Sequence, residues 1–198
     1  MMLDKPFSQA CENNKTFILP VLQQVFQNID SVLEIGSGTG QHATFFAKHL
    51  THLTWQTSDL FINHEGIKQW LAECPSANLL PPVELDLSKD WPISSTSGIF
   101  TANTLHIVSW ELVIAFFEGI KAHLTSNGKL CIYGPFNYQG KFTSESNANF
   151  DLWLKQRNEL SGIRDIEAII TLANKAGLTL IEDHQMPANN RLLAFIKS

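Results

Sequence analysis

Cysteine, tyrosine and charge are all scarce in this chain of 198 residues, which has three Cys, two Tyr and 17% Asp, Glu, Lys and Arg. Cys11, Cys74 and Cys131 lie far apart and form no Cys-x-x-Cys pair, so neither a disulfide framework nor a thiolate zinc site is indicated. Reduced thiols in a reducing compartment, and so a cytoplasmic location, are the expectation. Long apolar runs are missing too. No stretch approaches the roughly 18 uncharged apolar residues of a membrane span, and the opening MMLDKPFSQACENN lacks the apolar core of a signal peptide. No membrane partner is therefore expected. Positive charge is not in excess: the net charge of −5 argues against a broad electrostatic grip on nucleic acid. His49 and His52 are the closest histidine pair, but no Cys, His or carboxylate cluster completes a coordination sphere around them, and no metal is expected.

What is present is a chain with 44% apolar residues and no internal repeat or composition shift, which implies one domain over residues 1–198. Phe17, Ile18, Val21, Leu22, Val25 and Phe26 recur at helical spacing and predict a helix over 16–26, with Pro20 near its first turn, inside an N-terminal helical cap of residues 1–30. Short apolar runs predict strands over 31–35, 53–58, 79–85, 98–102, 129–133, 178–182 and 191–196. Helical patterns fall between them at 41–50, 64–73, 110–124, 151–160 and 166–176. Alternating strands and helices imply a doubly wound α/β fold with a mostly parallel sheet. The last two strands, joined through MPANN, suit an antiparallel hairpin. The apolar helix 110–124 and the five tryptophans are expected in the core.

The sharpest feature is Glu34-Ile35-Gly36-Ser37-Gly38-Thr39-Gly40, at the end of the first strand. Glycines there let the backbone turn tightly and let a ligand approach the main chain, and the following helix offers unpaired N–H groups. Asp59 follows the second strand, at the roughly 20-residue distance where an acidic group meets ribose hydroxyls in nucleotide-binding sheets. Asp86 follows the third strand. Glu34, Asp59 and Asp86 should thus line one rim of the sheet.

The order Glu-x-Gly-x-Gly-x-Gly, Asp59, Asp86 and a fourth strand running into Asn103 resembles the class I S-adenosylmethionine-dependent methyltransferases. The segments NTLHI, GPFNYQGKFTSESNANFD, GIRDIE and MPANNRLLAF are similar to a methyltransferase-like family of unknown function found in bacteria and eukaryotes. The resemblance implies a Rossmann-like, seven-stranded class I methyltransferase fold and S-adenosylmethionine as cofactor. It implies that Glu34 faces the methionine end, that Gly36, Gly38 and Gly40 let the backbone approach, that Asp59 holds the ribose hydroxyls and that Asp86 meets the adenine amino group. Asn103 would lie beside the reactive sulfonium. Ser37, Thr39, Leu60 and Leu87 complete the expected cofactor set.

Methyl transfer asks mainly for in-line alignment and exclusion of water, with a general base only where the acceptor must lose a proton. His106 is the candidate base, beside the reading in which it simply satisfies a loop. The segment 134–149 is the candidate substrate lid, with Phe136, Asn137, Tyr138 and Phe142 as acceptor contacts and Tyr138 able to donate or accept a proton. Arg157 and Arg164 could pair with a substrate carboxylate or phosphate, although salt bridges to Glu159, Asp165 or Glu167 are preferred. A small-molecule acceptor is expected. Two rival readings stand beside methyl transfer. Gly38-x-Gly40-x-x-Ala43 is an allowed NAD-binding variant, although no Tyr-x-x-x-Lys hydride-transfer pair accompanies it. The other rival is a non-catalytic S-adenosylmethionine sensor or partner protein.

Overall fold

The computed structural model describes residues 5–198, so residues 1–4 of the expected cap lie outside the described residues. Seven strands form one sheet: β1 (Ser31–Ile35), β2 (Thr54–Asp59), β3 (Leu79–Glu84), β4 (Thr96–Ala102), β5 (Leu124–Gly134), β8 (Leu178–Met186) and β9 (Asn190–Lys197). Their order across the sheet is β3-β2-β1-β4-β5-β9-β8, and a separate two-stranded ribbon pairs β6 (Phe136–Asn137) with β7 (Arg164–Asp165). All pairings from β3 to β5 are parallel, while β9 runs antiparallel to both neighbours. The sheet is therefore mostly parallel with a C-terminal antiparallel hairpin, the Rossmann-like architecture that the alternating pattern implied. Pro187 to Asn190 close that hairpin, with Ala188 and Asn189 both at positive φ (56° and 58°). That geometry matches the twist of the strands it joins.

Successive side chains of a strand point to opposite faces, and the two cores follow that alternation. Leu33, Ile35, Ile99, Leu130, Ile132, Leu193 and Phe195 face one side, against α4 (Trp110–His123) and α6 (Ile166–Lys175). Val32, Phe100, Cys131, Tyr133, Leu192 and Ala194 face the other, against α1 (Gln9–Val25) and α2 (Gln41–His49). Glu34, one residue along from Leu33, belongs by parity to this second face and is buried there. α3 (His64–Glu73) flanks β3, and α5 (Glu145–Arg157) follows the ribbon strand β6.

Several boundaries differ from the sequence pattern. α1 begins at Gln9 rather than 16, capped by the Ser8 hydroxyl, which accepts from the Cys11 N–H at 3.3 Å, so Pro20 sits deep in the helix and not near its first turn. Its opening turns are polar, which hid them from an apolar periodicity. α5 likewise starts at Glu145, because Ser144 accepts from the Asn147 N–H at 3.1 Å and initiates a helix whose early turns are polar. β8 continues to Met186 because β9 pairs with it along the polar stretch DHQM. The tryptophans divide: Trp55 and Trp91 are core, whereas Trp153 is 47% exposed on α5.

Candidate functional site

Three strand ends and the glycine turn meet at one rim. The Gly36 and Ser37 N–H groups both donate to the Ser58 carbonyl, at 3.1 and 3.0 Å, tying the turn to the end of β2. Gly40 sits at φ +90° as the first cap of α2, and a Cβ there would stand 3.2 Å from the Ile67 backbone. Gly38 differs. It is at φ +58°, and the space a Cβ would take has no atom within 4 Å. Its N–H donates to Asp59 Oδ2 at 2.7 Å. The middle of the turn thus presents bare backbone and a carboxylate to open space, whereas its end is closed by packing.

Asp59 is 9% exposed, and its other oxygen accepts from the Leu60 N–H and from Asn63 Nδ2, at 2.7 and 2.8 Å. Glu34 lies against the turn itself. At 2% exposure its Oε2 accepts from Ser37 Oγ at 2.8 Å and from the Trp55 indole at 3.3 Å, so it braces the turn from beneath. Burial, with the Asp59 charge adding to it, pushes its carboxyl up to about 7 against the hydrogen bonds it accepts. Asp86 lies at the next strand end, where the Leu85 N–H donates to the Asp59 carbonyl at 3.0 Å. Asp86 Oδ1 accepts from the N–H and hydroxyl of Ser88, which hold its pKa down. Leu60 is 48% exposed and Leu87 packs partly against the α4 core. Thr39 donates to Gln41 Oε1 at 3.0 Å. Asn103, at φ 57°, ends β4 and donates its N–H to the Tyr133 carbonyl.

Sequence reasoning missed the strap that ties α1 to the start of α2 beside this turn. The Ser8 N–H donates to Gln41 Oε1, and Gln41 Nε2 donates to Glu12 Oε1 at 2.7 Å. Deeper, His42 Nε2 meets Asn14 Oδ1 at 2.6 Å and His42 Nδ1 faces the Cys11 thiol at 3.9 Å. Burial drives His42 down to about 4, so it is neutral. The signal was in the sequence: Cys11 and Asn14 continue the Ile18, Leu22 and Val25 stripe toward the N-terminus at helical spacing.

The far end of the rim is built from the turn after β4, the β6–β7 ribbon and α5. His106 is 5% exposed, its ring edge-on to Phe150 at 5.4 Å, and a Cβ on Gly134 would stand 3.5 Å from its Nδ1. Neither ring nitrogen has a hydrogen-bond partner among the described residues. Burial, and then the nearby Arg164 cation, lower its pKa to about 4. Arg164 makes neither a substrate-ready fork nor the preferred salt bridge. It donates to the carbonyls of Leu105, Val108 and Leu160, which carboxylates could not replace without losing the shape of the turn. Arg157 lies over the Trp153 ring at 4.6 Å.

The expected lid is anchored structure over most of its length. Phe136 is 2% exposed within the α4 core, because β6 pairs with β7 and turns that side chain inward, so it is not open to a ligand. Tyr138 and Lys141 close a tight turn through Gln139 and Gly140, both at positive φ. Tyr138 donates its hydroxyl to Asp183 Oδ2 at 2.7 Å, and burial together with that carboxylate raises its pKa. Phe142 is 43% exposed, while Asn137 is 8% exposed and its Oδ1 has no hydrogen-bond partner.

A match to known proteins now bears on this geometry. The family model described as "Protein of unknown function (DUF938)" matches residues 5–197. The chain belongs to the DUF938 family. Among solved structures it is similar to an O-methyltransferase family protein from Burkholderia thailandensis, with 15% identity and a TM-score of 0.82 over 93% of this chain and 56% of that one. It is similar also to PigF with SAH (17%, TM-score 0.76, 87% and 52%) and to an O-methyltransferase family 2 protein from Planctomyces limnophilus in complex with apigenin (14%, TM-score 0.77, 93% and 62%). This DUF938 chain therefore has the fold of those methyltransferases and spans between about half and three fifths of their length. Among the described residues no helix is long and apolar enough to cross a membrane, and no group of three or more His, Cys, Asp and Glu is placed to hold a metal ion.

Proposed function

We propose that this chain transfers a methyl group from S-adenosylmethionine to a small-molecule acceptor. The observation that carries the reading is the open space at Gly38 beside Asp59: bare backbone and a hydrogen-bonding carboxylate at the strand ends of a doubly wound sheet suit a ribose-bearing ligand. The methyltransferase fold of the neighbours, one of them described with SAH, supports the same cofactor class. When bound, S-adenosylmethionine supplies a methyl group on a sulfonium, itself a good leaving group.

The chain's own residues then have divided tasks. Asp59 takes the ribose hydroxyls, Asp86 the adenine amino group, and Leu60 and Leu87 pack beside the nucleoside. Glu34 keeps the turn in shape through Ser37, and the Ser8–Gln41–Glu12 strap ties the start of α1 to the first residue of α2 just after it. Asn103 and His106 face the acceptor side, where neutral His106 accepts a proton from the acceptor hydroxyl as methyl transfer proceeds. Its low basicity suits an acidic hydroxyl better than an alkyl alcohol.

Calorimetric titration with S-adenosylmethionine, S-adenosylhomocysteine and NAD, repeated on Asp59→Ala, tests the reading. Micromolar binding of both adenosyl ligands, weakened in the variant and absent for NAD, is expected. Binding of NAD alone would overturn it.

A further inference from the structure

Between β4 and α4 the chain runs as turns, so the carbonyls of residues 104–108 enter no ladder and need donors from elsewhere. All five find one. Thr104 accepts from the Ile107 and Val108 N–H groups of its own turn, at 2.9 and 3.2 Å. The other four are taken by one short segment, residues 161–164. Arg164 Nε donates to Leu105 at 3.0 Å, the Gly162 N–H to His106 at 2.9 Å, the Ser161 hydroxyl to Ile107, and Arg164 Nη2 to Val108. The guanidinium therefore reaches across His106, with one nitrogen on the carbonyl just before it and another on the carbonyl two residues after it. A planar fork fixes the separation of two acceptors, which the single point charge of an ammonium does not. Arg164 is itself set in place by β7, where it pairs with Phe136 of the core.

The same segment is tied to the helix that packs on the imidazole. Asp151 on α5 accepts from the Ile163 N–H at 2.8 Å and from Lys155 Nζ at 2.6 Å, and the residue beside it, Phe150, stands edge-on to the His106 ring. His106 is thus held at its backbone through Arg164 and at its ring through Phe150, and the two holds meet on α5. Charge acts in the same sense. After burial, the Arg164 cation is what disfavours a proton on this ring, while Asp151 from α5 and Glu111 from α4 bear on Arg164.

We infer that Arg164 is a positioning residue for His106: by clasping the carbonyls on either side of it, the guanidinium holds the imidazole in place at the rim. This rests on the reading above in which His106 takes the proton of the acceptor hydroxyl. A base that must meet one proton along one line loses its value when it is displaced by about an ångström, so the clasp acts on the reaction without touching either ligand.

NMR of the full chain labelled in its histidine and phenylalanine rings tests this, with the His106 signal assigned by its loss in His106→Gln. The wild-type ring should titrate near pH 4 and show a contact to Phe150. Arg164→Met removes both the fork and the charge. In the folded variant the His106 midpoint should rise by about half a pH unit or more and the Phe150 contact should weaken. Arg164→Lys keeps the charge and one donor, so its midpoint should stay low while the Phe150 contact still weakens. An unchanged Phe150 contact in either folded variant would overturn the inference, as would a wild-type midpoint at or above 6.5; if Arg164→Met does not fold, the lysine variant decides. Calorimetry on the same proteins separates this from the cofactor reading. Loss of the inference with S-adenosylmethionine binding intact leaves methyl transfer standing, whereas wild-type protein that binds no S-adenosylmethionine removes that reading and the task of His106 with it.

Discussion

The two ends of the rim are built differently. At the glycine turn, Glu34, Ser37, Ser58, Gly38 and Asp59 form one hydrogen-bonded unit in which side chains hold backbone, and the turn's exposed middle is open. At the other end, after β4, Arg164 holds the loop and Asp183 holds Tyr138, Asn137 and His106 are buried, and Arg157 lies over the exposed Trp153 ring. The difference teaches that a single sheet edge can have its backbone held by side chains at one end and its side chains spent on loop carbonyls at the other. The first demands particular residues at particular strand ends.

Substitutions can break that contrast. Gly40 and Gly140 are both at positive φ, but a Cβ at Gly40 meets the Ile67 backbone and one at Gly140 meets nothing. Gly40→Ala should therefore cost about 3 kcal/mol by urea unfolding, and Gly140→Ala only about 1 kcal/mol. Comparable losses would mean that the glycine turn is no tighter than the far turn.

The pH response sharpens the same point. Glu34 is raised from 4.5 to about 7 in the folded protein, so its contribution is fully present below pH 4.5 and is lost as pH rises through 7, an effect of roughly 3 kcal/mol. His42 and His106 are lowered to about 4, so each withdraws stability as pH falls from 6.5 toward 4. In Glu34→Gln the loss of urea midpoint with rising pH between about 5 and 7 should disappear, while His106→Gln should lessen the opposing loss as pH falls below 6.5.

Asp59→Ala should weaken S-adenosylmethionine binding about 100-fold, roughly the worth of a charge-assisted hydrogen bond pair, and Arg164→Met should leave that affinity within about twofold. Arg164→Met should instead lower stability by about 2 kcal/mol, since three carbonyls lose their donor. A large effect of Arg164→Met on cofactor affinity with stability intact would erase the distinction between the two ends.

The glycine turn was legible because its chemistry is local: Glu34 to Gly40 is one contiguous motif, and Asp59 and Asp86 sit at strand ends that periodicity alone locates. Even there Glu34's second partner was out of view, because only the neighbouring strand β2 reveals Trp55 standing beside it. The acceptor end was far less readable. Arg164 read first as a salt-bridge residue and second as an anion site, because its three carbonyl acceptors, two of them more than fifty residues away in sequence, were out of view. Phe136 read as a lid aromatic because nothing in the chain announces that β7, 28 residues later, pairs with it and turns it into the core. The polar openings of α1 and α5 carried no apolar period, and their caps were the signal to use. The mostly parallel sheet and its closing hairpin followed from strand spacing, whereas the order of the strands came only with the structure.

Amide hydrogen exchange of the wild-type protein, with and without S-adenosylhomocysteine, tests the division of the rim most directly. Slowed exchange is expected at residues 36–41 and 59–64, with residues 104–108 and 136–164 unchanged. Protection at 136–164 on adding S-adenosylhomocysteine alone, with none around Gly38, would contradict it.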